Sequence, residues 1–272
     1  MNKNSFNKMK LAAIVITTLP LLGLAQSRSQ APRTMLGAFD IQMGEAYINN
    51  LFIPNVGFDD NDNIEFMIEG ILPNPCYGIS DKPRLEVSFG NFHVRQQTYR
   101  KVEGPCSAPD GALKGIYANP VPFDDVVKLG VLQKGSDYKL FYQSTAGYRS
   151  RSFNVKSAPN DSIDSLNYAR VENAYIPVRT FEGSPVRIVI QAAIISSCQR
   201  PTKEFRLAPD DNPSDDIVVI LPEVDVAKDD LCVATYEPFE QVVAIPGLKA
   251  GRYQLHVRSF NGASVNRLFN VY

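Results

Sequence analysis

Tryptophan is missing from this chain of 272 residues, and histidine occurs only twice. Two imidazoles are little material for a metal centre, or for a catalytic base that needs an orienting partner. The four cysteines include none of the closely spaced pairs that a structural zinc site uses. Neither sign of charge dominates: 28 Lys and Arg stand against 29 Asp and Glu, a formal net charge of −1. Both signs are mixed along the chain, so the clustered basic surface that nucleic acid or an anionic membrane needs is lacking. After residue 25 no apolar run approaches a bilayer-spanning helix. G-x-S-x-G, H-E-x-x-H and the P-loop are absent too, leaving no motif-level sign of a hydrolase or nucleotide enzyme.

What is present begins with an address. Lys3, Lys8 and Lys10 precede the apolar run Leu11–Ala25, whose small residues Gly23 and Ala25 stand just ahead of Gln26. A basic start, a short apolar stretch and a small-residue cut site describe an export signal over residues 1–25. The polar "QSRSQAPRT" that follows predicts a disordered segment over 26–38. The mature chain is therefore expected to be secreted or periplasmic, with no transmembrane segment once the signal is removed.

The remainder carries one phrase twice. "PFDDVVKLGVLQKGSDYKLFY" (122–142) returns as "PFEQVVAIPGLKAGRYQLHV" (238–257), and Phe153–Asn154–Val155 returns as Phe269–Asn270–Val271. Upstream, Ala46–Tyr47–Ile48 echoes Ala174–Tyr175–Ile176. A period near a hundred residues reads as a duplicated domain. The expected boundaries are 39–156 for the first domain, a polar acidic linker over 157–170, and 171–272 for the second. "NIEFMIEGIL" and "VRIVIQAAII" alternate with period two, and turn-rich stretches rich in Pro and Gly separate such runs. The chain is thus expected to be all-β.

Each copy holds two cysteines, so the duplication selects the pairs Cys76–Cys106 and Cys198–Cys232. An oxidising compartment favours both bridges, each stabilising by roughly 3–4 kcal/mol in the chain-entropy model.

Leu132, Gly135 and Tyr138, then Leu248, Gly251 and Tyr253, place a Leu and a Gly-containing turn ahead of a Tyr-led strand. This arrangement resembles the late corner of immunoglobulin-like and fibronectin-type domains, where a Tyr hydroxyl bonds back to the corner backbone. The resemblance implies two tandem immunoglobulin-like antiparallel β-sandwich domains with one intradomain disulfide each. It departs from the antibody pattern, since neither second cysteine lies on the Tyr-led strand. The glycines Gly135 and Gly251 are expected to supply a backbone shape that a side chain resists.

Candidate chemistry is sparse. His93 and His256 both precede Val-Arg on expected strands and are read as solvent-facing. No cofactor is expected, although Asp59, Asp60, Asn61, Asp62 and Asn63 offer oxygen ligands of the kind calcium takes, with Asp161, Asp164, Asp210, Asp211, Asp215 and Asp216 as further donors. The alternative reading is ordinary turn chemistry. Tyr138, Tyr142, Tyr148, Tyr168 and Tyr175 are candidates for a sugar platform. Two functions follow. One is an exported, non-catalytic binding or structural protein, meeting protein or carbohydrate at the cell surface through loops or sheet edges. The alternative is an exported hydrolase or protease inhibitor on the same fold, an inhibitor using a rigid loop around Pro105–Gly111.

Overall fold

Alternating apolar and polar residues set the strands of the computed structural model, which describes residues 42–54, 58–134, 137–158, 167–208, 216–228 and 231–272. The expected signal (1–25), the segment 26–38, Gly135, Asp161, Asp164, Asp210, Asp211 and Asp215 lie outside the described residues. The first lobe contains β1 (Gln42–Phe52), β2 (Ile64–Leu72), β3 (Tyr77–Ile79), β4 (Arg84–Ser88), β5 (Asn91–Arg100), β6 (Val121–Gly130), β7 (Asp137–Ser144) and β8 (Gly147–Asn154). The second contains β9 (Arg170–Tyr175), β10 (Val186–Ser196), β11 (Gln199–Pro201), β12 (Arg206–Leu207), β13 (Ile217–Leu221), β14 (Val224–Val226), β15 (Ala234–Ile245), β16 (Gly251–Ser259) and β17 (Ala263–Val271). The helical elements among the described residues are short 3-10 turns.

In lobe 1 the strand order is β6-β2-β1-β5-β7-β8, with β3 and β4 also on β5. One sheet can curl over a core because β1 changes partner along its length. Gln42–Ala46 pair with β5, and Tyr47–Phe52 pair with β2 past a bulge near Ile48. Lobe 2 separates into β15-β10-β9 and β12-β13-β16-β17, with β11 on β14. Each lobe has its own core. Phe66, Ile68, Phe92 and Leu140 are buried in the first, and Ile188, Ile190, Leu255 and Val257 in the second. Contacts gather Phe39–Tyr272 into one compact unit.

The sheets are mixed, which corrects the antiparallel expectation. β5 runs parallel to β7, and β13 parallel to β16. The cause is the connection: after β5 the chain passes through β6 on β2 before returning as β7, and after β13 it passes through β15 on β10 before returning as β16. Such a crossover permits parallel pairing, which a tight hairpin does not.

One sequence echo also shifts. Ala174 pairs with Ile190, while the residue paired with Ile68 in lobe 1 is Leu51. Ile190 and Ile68 hold the same place, two residues beyond Ile188 and Phe66, which pair with Val243 and Val127. Ala174–Tyr175–Ile176 therefore matches Leu51–Phe52–Ile53 in register, and not Ala46–Tyr47–Ile48. The first half of β1, spent on β5, accounts for the offset.

The outer strands β6 and β15 carry Pro122 and Pro238, flanked by Asp124, Asp125, Glu237 and Glu240. Proline and charge on an outermost strand discourage pairing with another chain.

Candidate functional site

The stretch "RYQLHVRS" places Tyr253, Leu255 and Val257 on one face of β16 and Arg252, Gln254, His256 and Arg258 on the other. The apolar face enters the core of lobe 2. The polar face is covered as well: Gln254, His256 and Arg258 are 0 %, 1 % and 5 % exposed. Lobe 1 covers it with the segment 58–63 and the start of β2. This overturns the solvent-facing assignment of His256, because the face that alternation gives to water meets another surface of the same chain.

Charge and hydrogen bonding make that burial tolerable. Arg258 Nη2 donates to Asp62 Oδ2 at 2.7 Å, with both side chains almost fully buried. The same carboxylate oxygen accepts from the Asp59 backbone N–H at 2.8 Å. The Arg258 guanidinium also lies over the Phe58 ring, 4.9 Å from its centroid. Besides its neighbour Ser264, Asn266 on β17 links three partners: Oδ1 accepts from Gln254 Nε2 at 2.7 Å and from His256 Nδ1 at 2.8 Å, while Nδ2 donates to Glu65 Oε1 at 2.8 Å. Arg252 and Glu69 form a further pair at 2.5 Å. Lobe 1 contributes mostly carboxylates to this seam, and lobe 2 mostly cations and amides.

His256 is held neutral there. Burial pushes its pKa down to about 4; the Asn266 bond opposes the shift and the Arg258 charge adds to it. With Nδ1–H given to Asn266, Nε2 faces no hydrogen-bond partner among the described residues.

Asp62, His256 and Ser264 line one cavity of about 10 Å³, a grouping that invites comparison with a nucleophilic triad. The bonds are wrong for that chemistry. Asp62 serves Arg258, an amide orients His256, and Ser264 Oγ accepts from Asn266 at 2.8 Å. A volume of about 10 Å³ has room for a water and for no substrate. Two open grooves lie in lobe 2, of about 290 and 300 Å³; among the described residues that line them, the first holds the carboxylate of Asp216 and the second that of Glu237.

The other expected site residues are dispersed. Cys76 is bonded to Cys106 and Cys198 to Cys232. The Tyr138 hydroxyl donates to the Gln133 carbonyl at 2.9 Å, and that of Tyr253 to Lys249 at 3.1 Å. Gly251 is a strand residue paired with Val271, so it does not supply a turn conformation. His93 stacks on Phe141 with ring centroids 5.1 Å apart. Tyr138 and Tyr168 are buried, while Tyr148 and Tyr175 are exposed, so the tyrosines form no single platform. Asp60 Oδ1 accepts from the Ala158 N–H at 2.7 Å, and Asp62 is committed to Arg258. Among the described residues no three His, Cys, Asp or Glu side chains converge as a metal site, and no helix is long and apolar enough to cross a membrane.

The loop 104–118 is braced. Arg100 bonds Asp110 Oδ1 at 3.2 Å and the Ala108 carbonyl at 2.5 Å, and the Tyr77 hydroxyl bonds Asp110 Oδ2 at 2.8 Å. The Tyr77 bond holds the Asp110 carboxyl below the usual range, against its partial desolvation, with Asn74 and Arg100 helping.

Glu65, Glu69, Arg252, Gln254, Arg258 and Asn266 were not among the site residues expected from the sequence. One signal was available. The acidic "FDDNDNIE" has no equally acidic counterpart in "FEGSPVR" of lobe 2, and the polar face "R-Q-H-R" of β16 has no equally polar counterpart in "YKLFYQ". The echoing stretches of the two lobes depart from each other where the lobes meet. Comparison with known proteins finds no matching family model, no matching curated protein and no matching solved structure.

Proposed function

We propose that the mature chain is an exported, non-catalytic binding or structural protein of the cell envelope or extracellular space. Its two immunoglobulin-like lobes, products of an internal duplication, are fixed to each other and present one composite surface. The observation that carries this reading is the buried seam Asp62–Arg258 and Glu65–Asn266–His256. Interfaces between domains of one chain are ordinarily polar and permissive of motion. Burying an ion pair and a three-way amide junction costs desolvation and is tolerated only with close geometry, so such a network favours one relative orientation. Matching strand order and the paired Tyr hydroxyl bonds support the duplication. The bridged cysteines suit an oxidising compartment.

The test is partner capture from envelope and extracellular extracts by the purified chain and by Asp62→Ala, alongside glycosidase, peptidase and esterase assays. The reading expects a specific partner whose retention weakens when the seam is loosened, and no turnover. Saturable turnover of any substrate would replace it with the hydrolase reading.

The braced loop favours a second reading, inhibition of an exported hydrolase. The Cys76–Cys106 bridge and the Arg100–Asp110 pair hold the loop while Pro109, Gly111 and Ile116 stay exposed. Preorganised loops bind with little ordering cost. Inhibition of a peptidase that is lost in Arg100→Ala would select it.

A further inference from the structure

Each half of the seam has a counterpart in the other lobe at the same register. On the side of β16, Tyr253 pairs with Phe269, His256 with Asn266 and Arg258 with Ser264. On β7 the same steps give Tyr138 with Phe153, Phe141 with Ser150 and Gln143 with Tyr148. On the side of lobe 1, the Asp62 N–H donates to the Asp59 carbonyl and the Asp60 N–H to Lys156. In lobe 2, Ser184 donates to Phe181 and Glu182 to Tyr272 in the same way. Glu65 and Arg187 both stand one residue before the matched pairs Phe66–Val127 and Ile188–Val243. The face of lobe 1 formed by β5, β7 and β8 thus corresponds to the docked face of lobe 2. The ridge 178–187 of lobe 2 corresponds to the docking ridge of lobe 1.

Both counterparts are open to solvent, and both carry aromatic residues at places where the seam has polar ones, while Lys139 stands at the place of Gln254 and Arg187 at that of Glu65. Phe141 stands where His256 does and Tyr148 where Ser264 does; Tyr148 is 74 % exposed. Gln143 replaces Arg258, and Ser184 replaces its partner Asp62. Phe181 takes the place of Asp59 and is 58 % exposed, beside Val178 at 96 %. A seam inside one chain can carry buried ions because its halves are already held together. A contact between separate molecules draws on aromatic anchors instead.

We propose that the β5–β7–β8 face of lobe 1 receives the 178–187 ridge of lobe 2 from a second copy of this chain. The contact is a continuation of the intramolecular seam, with Phe181 meeting Phe141 and Tyr148. It uses different surfaces on the two copies, so it is head-to-tail and does not close after two. The proposal names the partner within the surface-contact reading above and rests on it. The two remain separable, because a chain that never self-associates would still be free to capture another protein.

Sedimentation velocity on the purified chain, up to about 100 µM, reads the outcome. The expected result is an average mass that climbs with concentration past that of a dimer. Tyr148→Asp disables the face and Phe181→Asp the ridge; both positions are exposed, so the fold is retained. Each variant alone stays monomeric. An equimolar mixture of Tyr148→Asp and Phe181→Asp forms a dimer and no larger species, since one sound face and one sound ridge remain. A wild type that stays monomeric throughout, association untouched by either variant, or a mixture that stays monomeric overturns the proposal. Capture of a saccharide or an unrelated protein by this face of a strictly monomeric chain also overturns it.

Discussion

Phe89 and Gly90 turn the hairpin between β4 and β5 with φ of 47° and 78°. A two-residue turn with both φ positive favours Asn or Asp ahead of Gly, whereas an aromatic residue there is strained. Phe89 is fully exposed and recovers no burial for that strain. Phe89→Asn is therefore expected to stabilise the chain by about 0.5–1 kcal/mol, read as a raised urea midpoint with an unchanged slope. Arg258 stands at the opposite extreme. Arg258→Ala leaves Asp62 buried without its guanidinium, and the expected loss is about 3–5 kcal/mol in the same measurement. His256 adds a pH dependence. Its folded pKa of about 4 lies below the ordinary 6.5, so the unfolded chain binds the proton first as pH falls. The contribution is fully present above pH 6.5 and is lost progressively toward pH 4, by on the order of 3 kcal/mol. Subtracting the stability–pH curve of His256→Gln from that of the wild type should isolate this slope; parallel curves would contradict it.

At the scale of elements, the strands were legible because period-two alternation depends only on a sheet having one apolar face. β2 and β10 emerge from "NIEFMIEGIL" and "VRIVIQAAII" within a residue or two. The partner of each strand was less legible. Parallel pairing of β5 with β7 follows from where β6 goes, and no local pattern encodes that. The burial of His256 was illegible for a related reason: an alternating strand looks the same whether water or a neighbouring lobe covers its polar face. The bridge Cys76–Cys106, by contrast, was expected from reading the sequence echoes as two copies with two cysteines each. It closes a separation of 30 residues and pins the loop that Arg100 also holds. The double substitution Cys76→Ser with Cys106→Ser is expected to cost roughly 3–4 kcal/mol and to raise amide exchange across 104–118 before exchange in β2. Uniform loss of protection would contradict a local role for the bridge.

For the molecule as a whole, the seam is the feature on which the functional reading turns. Two lobes joined only by the stretch after β8 would wander and offer two separate surfaces. Two lobes joined by Asp62–Arg258, Glu69–Arg252 and the Asn266 junction offer one. Electron–electron resonance between non-cysteine spin labels at the exposed positions Lys114 and Lys203, one in each lobe, measures this most directly. The account expects a single narrow distance distribution in the wild type and a broad one in Asp62→Ala combined with Glu65→Ala. A broad distribution in the wild type, or an equally narrow one after both carboxylates are removed, would contradict it.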